Sequence, residues 1–157
     1  MVRTYGFTLI ELLVTLAIMA VLALVATPFM QVAVQRDKER DLRLALIQIR
    51  EGLDAYKRAA EQGRIALKVG ESGYPKSLEE LEKGVPDQRS LNKQNLYFLR
   101  RLPADPMAKD SSLKPEETWA LRSYSSPPDE PSEGADVFDV YSKSDKVGLN
   151  GVPYAKW

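Results

Sequence analysis

From Leu12 to Gln35 the chain carries no charged residue. At 1.5 Å of helical rise each, these roughly 24 residues span about 36 Å, enough to cross the roughly 30 Å hydrocarbon layer of a bilayer. This part of the chain is therefore expected to lie in a membrane. The run is longer than the apolar stretch of a secretory signal peptide, about 7 to 15 residues. Cleavage after Ala23 would set Val21 and Ala23 in acceptable places, but an acidic Glu11 at the head of the run does not suit such a signal. A plain single-pass anchor gives Glu11 no purpose either. Residues 36–157 are rich in Lys, Glu, Asp, Pro and Ser, and are long enough for one small core.

Composition removes most catalytic chemistry. The chain has no histidine and no cysteine, so the usual zinc sites, thiol catalysis and a Ser-His-Asp triad have no reagents. The 22 basic residues are balanced by 22 acidic ones, which argues against a nucleic-acid partner bound across the whole surface. An enzyme would have to use carboxylates or a Ser-Lys pair such as Ser142 and Lys143, and adjacent strand residues point to opposite faces. Glu79, Glu80 and Glu82 suit a solvated helix face, and no Gly-rich phosphate loop is present. No enzyme activity is expected.

An ionised carboxylate near the end of a membrane helix is costly and marks a function or a specific partner. Before Glu11 stands a short polar leader, Met1-Val-Arg-Thr-Tyr-Gly6, followed at once by Phe7-Thr-Leu-Ile-Glu11. Cutting between Gly6 and Phe7 would create an α-ammonium one helical turn from Glu11. That cation would supply a mate for Glu11, within one chain or between neighbours in a polymer. These residues resemble the class III signal of type IV pilins and type II secretion pseudopilins. The resemblance implies that a prepilin peptidase cuts after Gly6 on the cytoplasmic face and N-methylates Phe7. It gives Glu11, paired with Phe7, the assembly role. Pro28 falls where many of these proteins bend or locally melt the helix, as its missing N–H and ring clash would do; alone, it reads as a helix end. Arg36, Lys38, Arg40 and Arg43 follow the span while only Arg3 precedes it, so the positive-inside rule points the C-terminal part to the cytoplasm. The resemblance implies the opposite orientation, with the C-terminal part across the membrane from the leader, and outweighs the charge rule.

Beyond the span, Leu42, Ala45 or Leu46, Ile49, Leu53, Tyr56 and Ala60 recur by threes and fours along one face. Only Gly52 interrupts mildly. One helix from about Phe7 to about Glu61 is expected, ending at Gln62-Gly63 with Gly as a left-handed cap. Glu39 with Arg43, and Asp54 with Arg58, are i to i+4 pairs assigned to polar sides. The Arg36–Arg43 cluster is expected to form a solvated collar, the alternative being a specific docking site. Ser77-Leu-Glu-Glu80 predicts the capped start of a short helix that Pro86 stops. Leu91 to Arg101 predicts another, presenting Leu96, Phe98, Leu99 and Leu102. Thr118–Tyr124 and Val137–Ser142 alternate as strands around a stiff Pro127–Pro131 turn. The fold class expected is α+β: a long N-terminal helix, its first half transmembrane, packed on a small C-terminal antiparallel sheet, type IV pilin-like.

Tyr74-Pro75, then Leu78 and Leu81, Leu102-Pro-Ala-Asp105-Pro106, Trp119 to Tyr124, Phe138-Asp-Val-Tyr-Ser142 and Trp157 stand in the order seen in the major pseudopilins of type II secretion, which this half resembles. Taken singly, Asp105-Pro106 and Trp119 are turn and core residues. That subfamily commonly holds calcium in its C-terminal loops. Here Gly148-Leu-Asn-Gly151 stands where an acidic pair is usual, and Lys143 and Lys146 flank Asp145, which weakens or removes a site needing about six to eight oxygens. Ser142, Asp145 and Asn150 are its candidate positions; the alternative is a turn using Asp, Asn and Gly for their backbone preferences. No other cofactor is expected.

The division expected is a leader (1–6), a transmembrane and assembly helix (7–35) and a periplasmic globular domain (36–157). The function the resemblance implies is a structural subunit, held in the bacterial inner membrane and polymerised into a periplasmic pseudopilus that drives protein export. Its implied partners are further copies of itself, prepilin peptidase, minor pseudopilins, and a secretion platform with its assembly ATPase. Two other readings compete. One is a surface type IV pilus or DNA-uptake pilin, against which zero cysteines count, since many major pilins close a C-terminal loop with a disulfide. The other is a membrane-tethered periplasmic binding module that never polymerises.

Overall fold

The structure, a computed structural model, describes residues 6–92, 94–110 and 112–157. Residues 1–5, with Arg3 and most of the expected leader, lie outside the described residues. Helix α1 spans Leu9–Glu61, close to the range expected from periodicity. The chain divides into two compact units between Asp37 and Lys38. In the first unit α1 buries none of its described residues: the large apolar side chains exposed from Phe7 to Val34 range from 39% to 77% exposure.

In the second unit the same helix is amphipathic and one face is covered. Leu42, Ala45, Leu46, Ile49, Leu53, Tyr56, Ala59 and Ala60 are buried, and they meet Leu78, Leu81, Leu99, Leu102, Trp119, Val137, Val140 and Tyr154 in one core. Gly52 lies on this face because Leu99 and Leu81 come close there; a Cβ would stand 3.2 Å from Leu99 and 3.6 Å from Leu81. The helix ends as expected. Gly63 takes φ 68°, Arg64 N–H donates to Ala59 O at 3.0 Å and Gly63 N–H to Ala60 O at 2.9 Å, the Schellman pattern that satisfies carbonyls left over at the helix end.

Two short antiparallel pairs lie against the helix. Strands β1 (Val85–Pro86) and β2 (Asn95–Leu96) form the first, and β3 (Trp119–Arg122) and β4 (Asp139–Ser142) the second. The β3–β4 register sets Trp119 opposite Ser142 and Arg122 opposite Asp139; the antiparallel pair is as expected, with both strands shorter than Thr118–Tyr124 and Val137–Ser142 and Thr118 in α3. Helix α2 spans Glu79–Lys83 and α3 spans Pro115–Thr118. The indole N–H of buried Trp119 donates to Pro103 O at 2.8 Å. Buried Asp105 accepts the Ser142 hydroxyl at 2.6 Å and the Met107 N–H at 2.7 Å. The Pro103–Asp105 turn is thereby tied to both strands of the second sheet, so Asp105 and Trp119 act as turn and core residues.

Three expectations are corrected. Leu91–Arg101 is not a helix: Asn95–Leu96 pairs with Val85–Pro86, and Leu81 O accepts both Phe98 N–H at 3.0 Å and Leu99 N–H at 2.9 Å. The local period is two, since Tyr97 is 66% exposed between half-buried Leu96 and Phe98. Ser77 does not cap α2 with its side chain, and the helix stops at Gly84, φ 78°, before Pro86 enters β1. A Cβ at Gly84 would lie 2.9 Å from Leu96 O, so only glycine lets the first hairpin close.

The third correction is Glu39, assigned to a polar face and found 5% exposed. Its carboxylate accepts Leu149 N–H and the Tyr154 hydroxyl, both at 2.8 Å. Along the same helix Arg43 lies over the Trp157 ring, 4.5 Å from its centroid, and Arg50 donates to Trp157 O at 2.9 Å and to Asp139 at 2.8 Å. Three polar residues of α1 thus hold the Val147–Trp157 segment. Glu39→Ala should destabilise the second unit by roughly 1–3 kcal/mol, because it strands the buried Tyr154 hydroxyl and the part-buried Leu149 N–H, and Glu39→Gln, which keeps an acceptor, by less. Urea unfolding followed by tryptophan fluorescence checks this; an unchanged midpoint for the alanine variant would contradict it.

Candidate processing and assembly site

Gly6 and Phe7 precede α1 in exposed, non-helical backbone, and Phe7 is 77% exposed. The bond between them is open to a peptidase. Thr8 is the last residue before the helix, and its carbonyl accepts Leu12 N–H at 3.2 Å. Glu11 N–H donates to Thr8 Oγ1 at 3.3 Å, and Thr8 N–H donates to Glu11 Oε2 at 3.4 Å. This reciprocal arrangement is a capping box, which satisfies two donors that a helix start leaves over. Its sequence signal is Thr-x-x-Glu ahead of an apolar run, and the reading of Glu11 as a partnerless carboxylate overlooked it.

Glu11 therefore has a neutral hydrogen-bond partner at the helix start before any cut, besides the ammonium expected at Phe7. The positive end of the helix dipole also favours an anion there. Cleavage would change the balance: an ammonium at Phe7 is disfavoured by that same dipole and needs the nearby carboxylate. Phe7, Thr8 and Glu11 lie within one turn, so a cut before Phe7 would place the charge it creates at the same helix start as Glu11.

Inside the span, the two threonine side chains are satisfied locally. Thr15 Oγ1 donates to Leu12 O at 3.0 Å. Thr27 Oγ1 donates to Ala23 O at 3.0 Å and to Leu24 O at 3.3 Å. The second contact matters because Pro28 has no N–H for Leu24 O, its i−4 carbonyl. A hydroxyl thus serves the carbonyl that proline leaves over, as hydrocarbon requires. The helix assignment continues through Pro28 with no melted turn. Among the described residues, α1 is the one helix long and apolar enough to cross a membrane.

The candidate calcium positions have separate protein partners. Ser142 is fully buried and donates to Asp105. Asp145 is exposed and pairs with Lys109 at 3.2 Å. Asn150 Oδ1 accepts Val152 N–H at 3.0 Å. No group of three or more acidic, His or Cys side chains placed to share a metal is found among the described residues. An open groove of about 920 Å³ runs past Tyr56, Tyr74 and Tyr124. Its carboxylates are engaged too: Glu80 by the Tyr56 hydroxyl at 3.0 Å, Glu71 by Lys76 at 3.0 Å, and Asp136 by Ser123 at 2.8 Å. Burial and then Glu80 push the Tyr56 hydroxyl above its ordinary range, so it remains a donor.

Residues 1–27 match the prokaryotic N-terminal methylation motif. That motif is the type IV pilin-like prepilin signal, the substrate signature of prepilin peptidase. A signal of this kind on a long apolar helix, followed by small antiparallel sheets, is a type IV pilin-like arrangement. No curated protein and no solved structure matches the chain.

Proposed function

We propose that the chain is a structural subunit of a type II secretion pseudopilus. It waits in the inner membrane with its second unit in the periplasm, is cut between Gly6 and Phe7 and N-methylated at Phe7, and then polymerises. The fibre acts as a piston or plug for exported proteins, and a cytoplasmic ATPase with a membrane platform supplies the work. The observation that carries this reading is the prepilin motif placed at the start of a helix whose described apolar side chains from Leu9 to Val34 the chain itself leaves uncovered. Those side chains suit lipid before assembly and neighbouring helices after it. Lipid is as apolar as leucine, so the gain on entering a fibre comes from close packing and from pairing Phe7 of one subunit with Glu11 of another. A bend at Pro28, eased by Thr27, would help the helix fit that packing.

A secretion role is favoured over a surface pilus by the way the Val147–Trp157 segment is held. Where a disulfide closes the corresponding loop in many major pilins, this chain has no cysteine and uses Glu39, Arg43 and Arg50. Mass spectrometry of the membrane-extracted protein is the first test, and a chain beginning at N-methylated Phe7 is expected. Assembled material that still begins at Met1 would overturn the processing step. Removing the chain from its host should block export of folded proteins; intact export with loss of surface fibres would favour the pilus instead.

A further inference from the structure

Val147, Leu149 and Val152 are 51%, 45% and 38% exposed on a single short loop. The loop is rigid. Gly148 N–H donates to Val152 O and Gly151 N–H to Gly148 O, both at 2.9 Å, and Asn150 Oδ1 accepts Val152 N–H. Trp157 closes it from one side, its indole N–H donating to Val152 O at 3.2 Å. Apolar side chains held outward on a rigid turn lose little entropy when a partner covers them.

The loop's attachment decides what that partner is. Leu149 N–H is bonded to Glu39, and Glu39 stands four residues after Gln35, the last residue of the uncharged run. Four residues reach at most about 14 Å even when fully extended, so an anchored span keeps Glu39 close to the bilayer surface. Exposed cations stand close to this attachment along the chain: Lys38, Arg40 and Arg43 on α1, and Lys146 and Lys156 in the segment. The exposed anions among them are fewer: Asp37 beside Lys38, Asp41 near Arg40, and Asp145, already paired with Lys109. Apolar side chains beside excess positive charge suit an anionic lipid interface.

We propose that the Val147–Val152 loop and these cations form a contact surface for the anionic phospholipid bilayer that holds α1, an inference that rests on the membrane anchoring proposed above. Before assembly the surface would seat the second unit on the membrane, with Leu149 at the headgroup level. Leaving the membrane would then require this contact to break as well as the span to be withdrawn.

The chain contains no cysteine, so Leu149→Cys and Leu91→Cys each create a single labelling position. Leu91 is fully exposed and lies four residues from Asp87, which Arg64 holds beyond the far end of α1. From Glu39 to Glu61 alone the helix rises about 33 Å, which makes Leu91 a suitable control. Each full-length variant, labelled with a polarity-sensitive fluorophore, is reconstituted into phosphatidylglycerol or phosphatidylcholine vesicles and quenched with iodide. In phosphatidylglycerol the label at 149 should lose most of its quenching and shift to the blue, while the label at 91 stays fully quenched. Phosphatidylcholine, or about 1 M salt, where the Debye length falls to about 3 Å, should restore much of the quenching at 149. Equal quenching at 149 and 91 in protein that resists alkaline carbonate extraction overturns the surface contact alone. Protein stripped by carbonate overturns the anchoring and the surface with it. Shielding at 149 that is the same in both lipids and in detergent means that another copy covers the loop, and overturns the lipid assignment.

Discussion

Glu11→Ala is expected to leave the cut after Gly6 intact and to reduce fibre assembly by roughly a hundredfold or more. The magnitude follows from the ammonium at Phe7, which would be left unpaired among apolar helices; removing one partner of a buried pair costs about 3–5 kcal/mol. The alanine variant also dismantles the capping box that Glu11 shares with Thr8. Two further variants separate charge from capping. Glu11→Gln keeps a side chain able to complete the box while removing the anion, so it should assemble as poorly as the alanine variant. Thr8→Ala weakens the cap by about 1 kcal/mol and keeps the anion, so it should assemble far better. Crosslinking of membranes, read as a ladder of oligomers, checks all three. Normal ladders from Glu11→Gln would show that Glu11 matters only as a cap and would sink the pairing of Phe7 with Glu11.

Gly6→Val should nearly abolish trimming, with the full-length chain accumulating in the membrane. The residue has no structural duty in the described fold: a Cβ there meets nothing within 4 Å, and its backbone is not left-handed. Any need for glycine at this position must therefore come from the peptidase, whose pocket would not admit a branched side chain. Intact-mass measurement reads the result, and unchanged loss of the first six residues would refute it. The uncut chain keeps Glu11 in its box and lacks the ammonium at Phe7, so it should also fail to assemble. Adding Glu11→Ala to Gly6→Val should then do little further harm, because two changes that break one interaction are not additive.

Much of this protein is legible along the chain. The uncharged run from Leu12, the buried face from Leu42 to Ala60, the left-handed Gly63 and the alternation of β3 and β4 are all repeats or punctuation over a few residues. Backbone geometry turns such spacing directly into faces and ends. The Thr8–Glu11 box is legible in the same way, as Thr-x-x-Glu ahead of an apolar run. The first hairpin was harder to see: Asn95–Leu96 is too short to show a period, and Leu96, Phe98, Leu99 and Leu102 fit a helix about as well as a strand.

The chain by itself determined the signal, the span, the length of α1 and the side of it that faces a core, because each depends on neighbours within a turn or two. Tertiary structure alone decided the fate of Glu39, which has the same spacing as the core residues and a charge that assigns it to water. Its burial depends on Leu149 and Tyr154, more than a hundred positions away, arriving with an N–H and a hydroxyl. A buried carboxylate is tolerable only where such donors converge on it, and convergence over that separation is a property of the folded chain that no local pattern records.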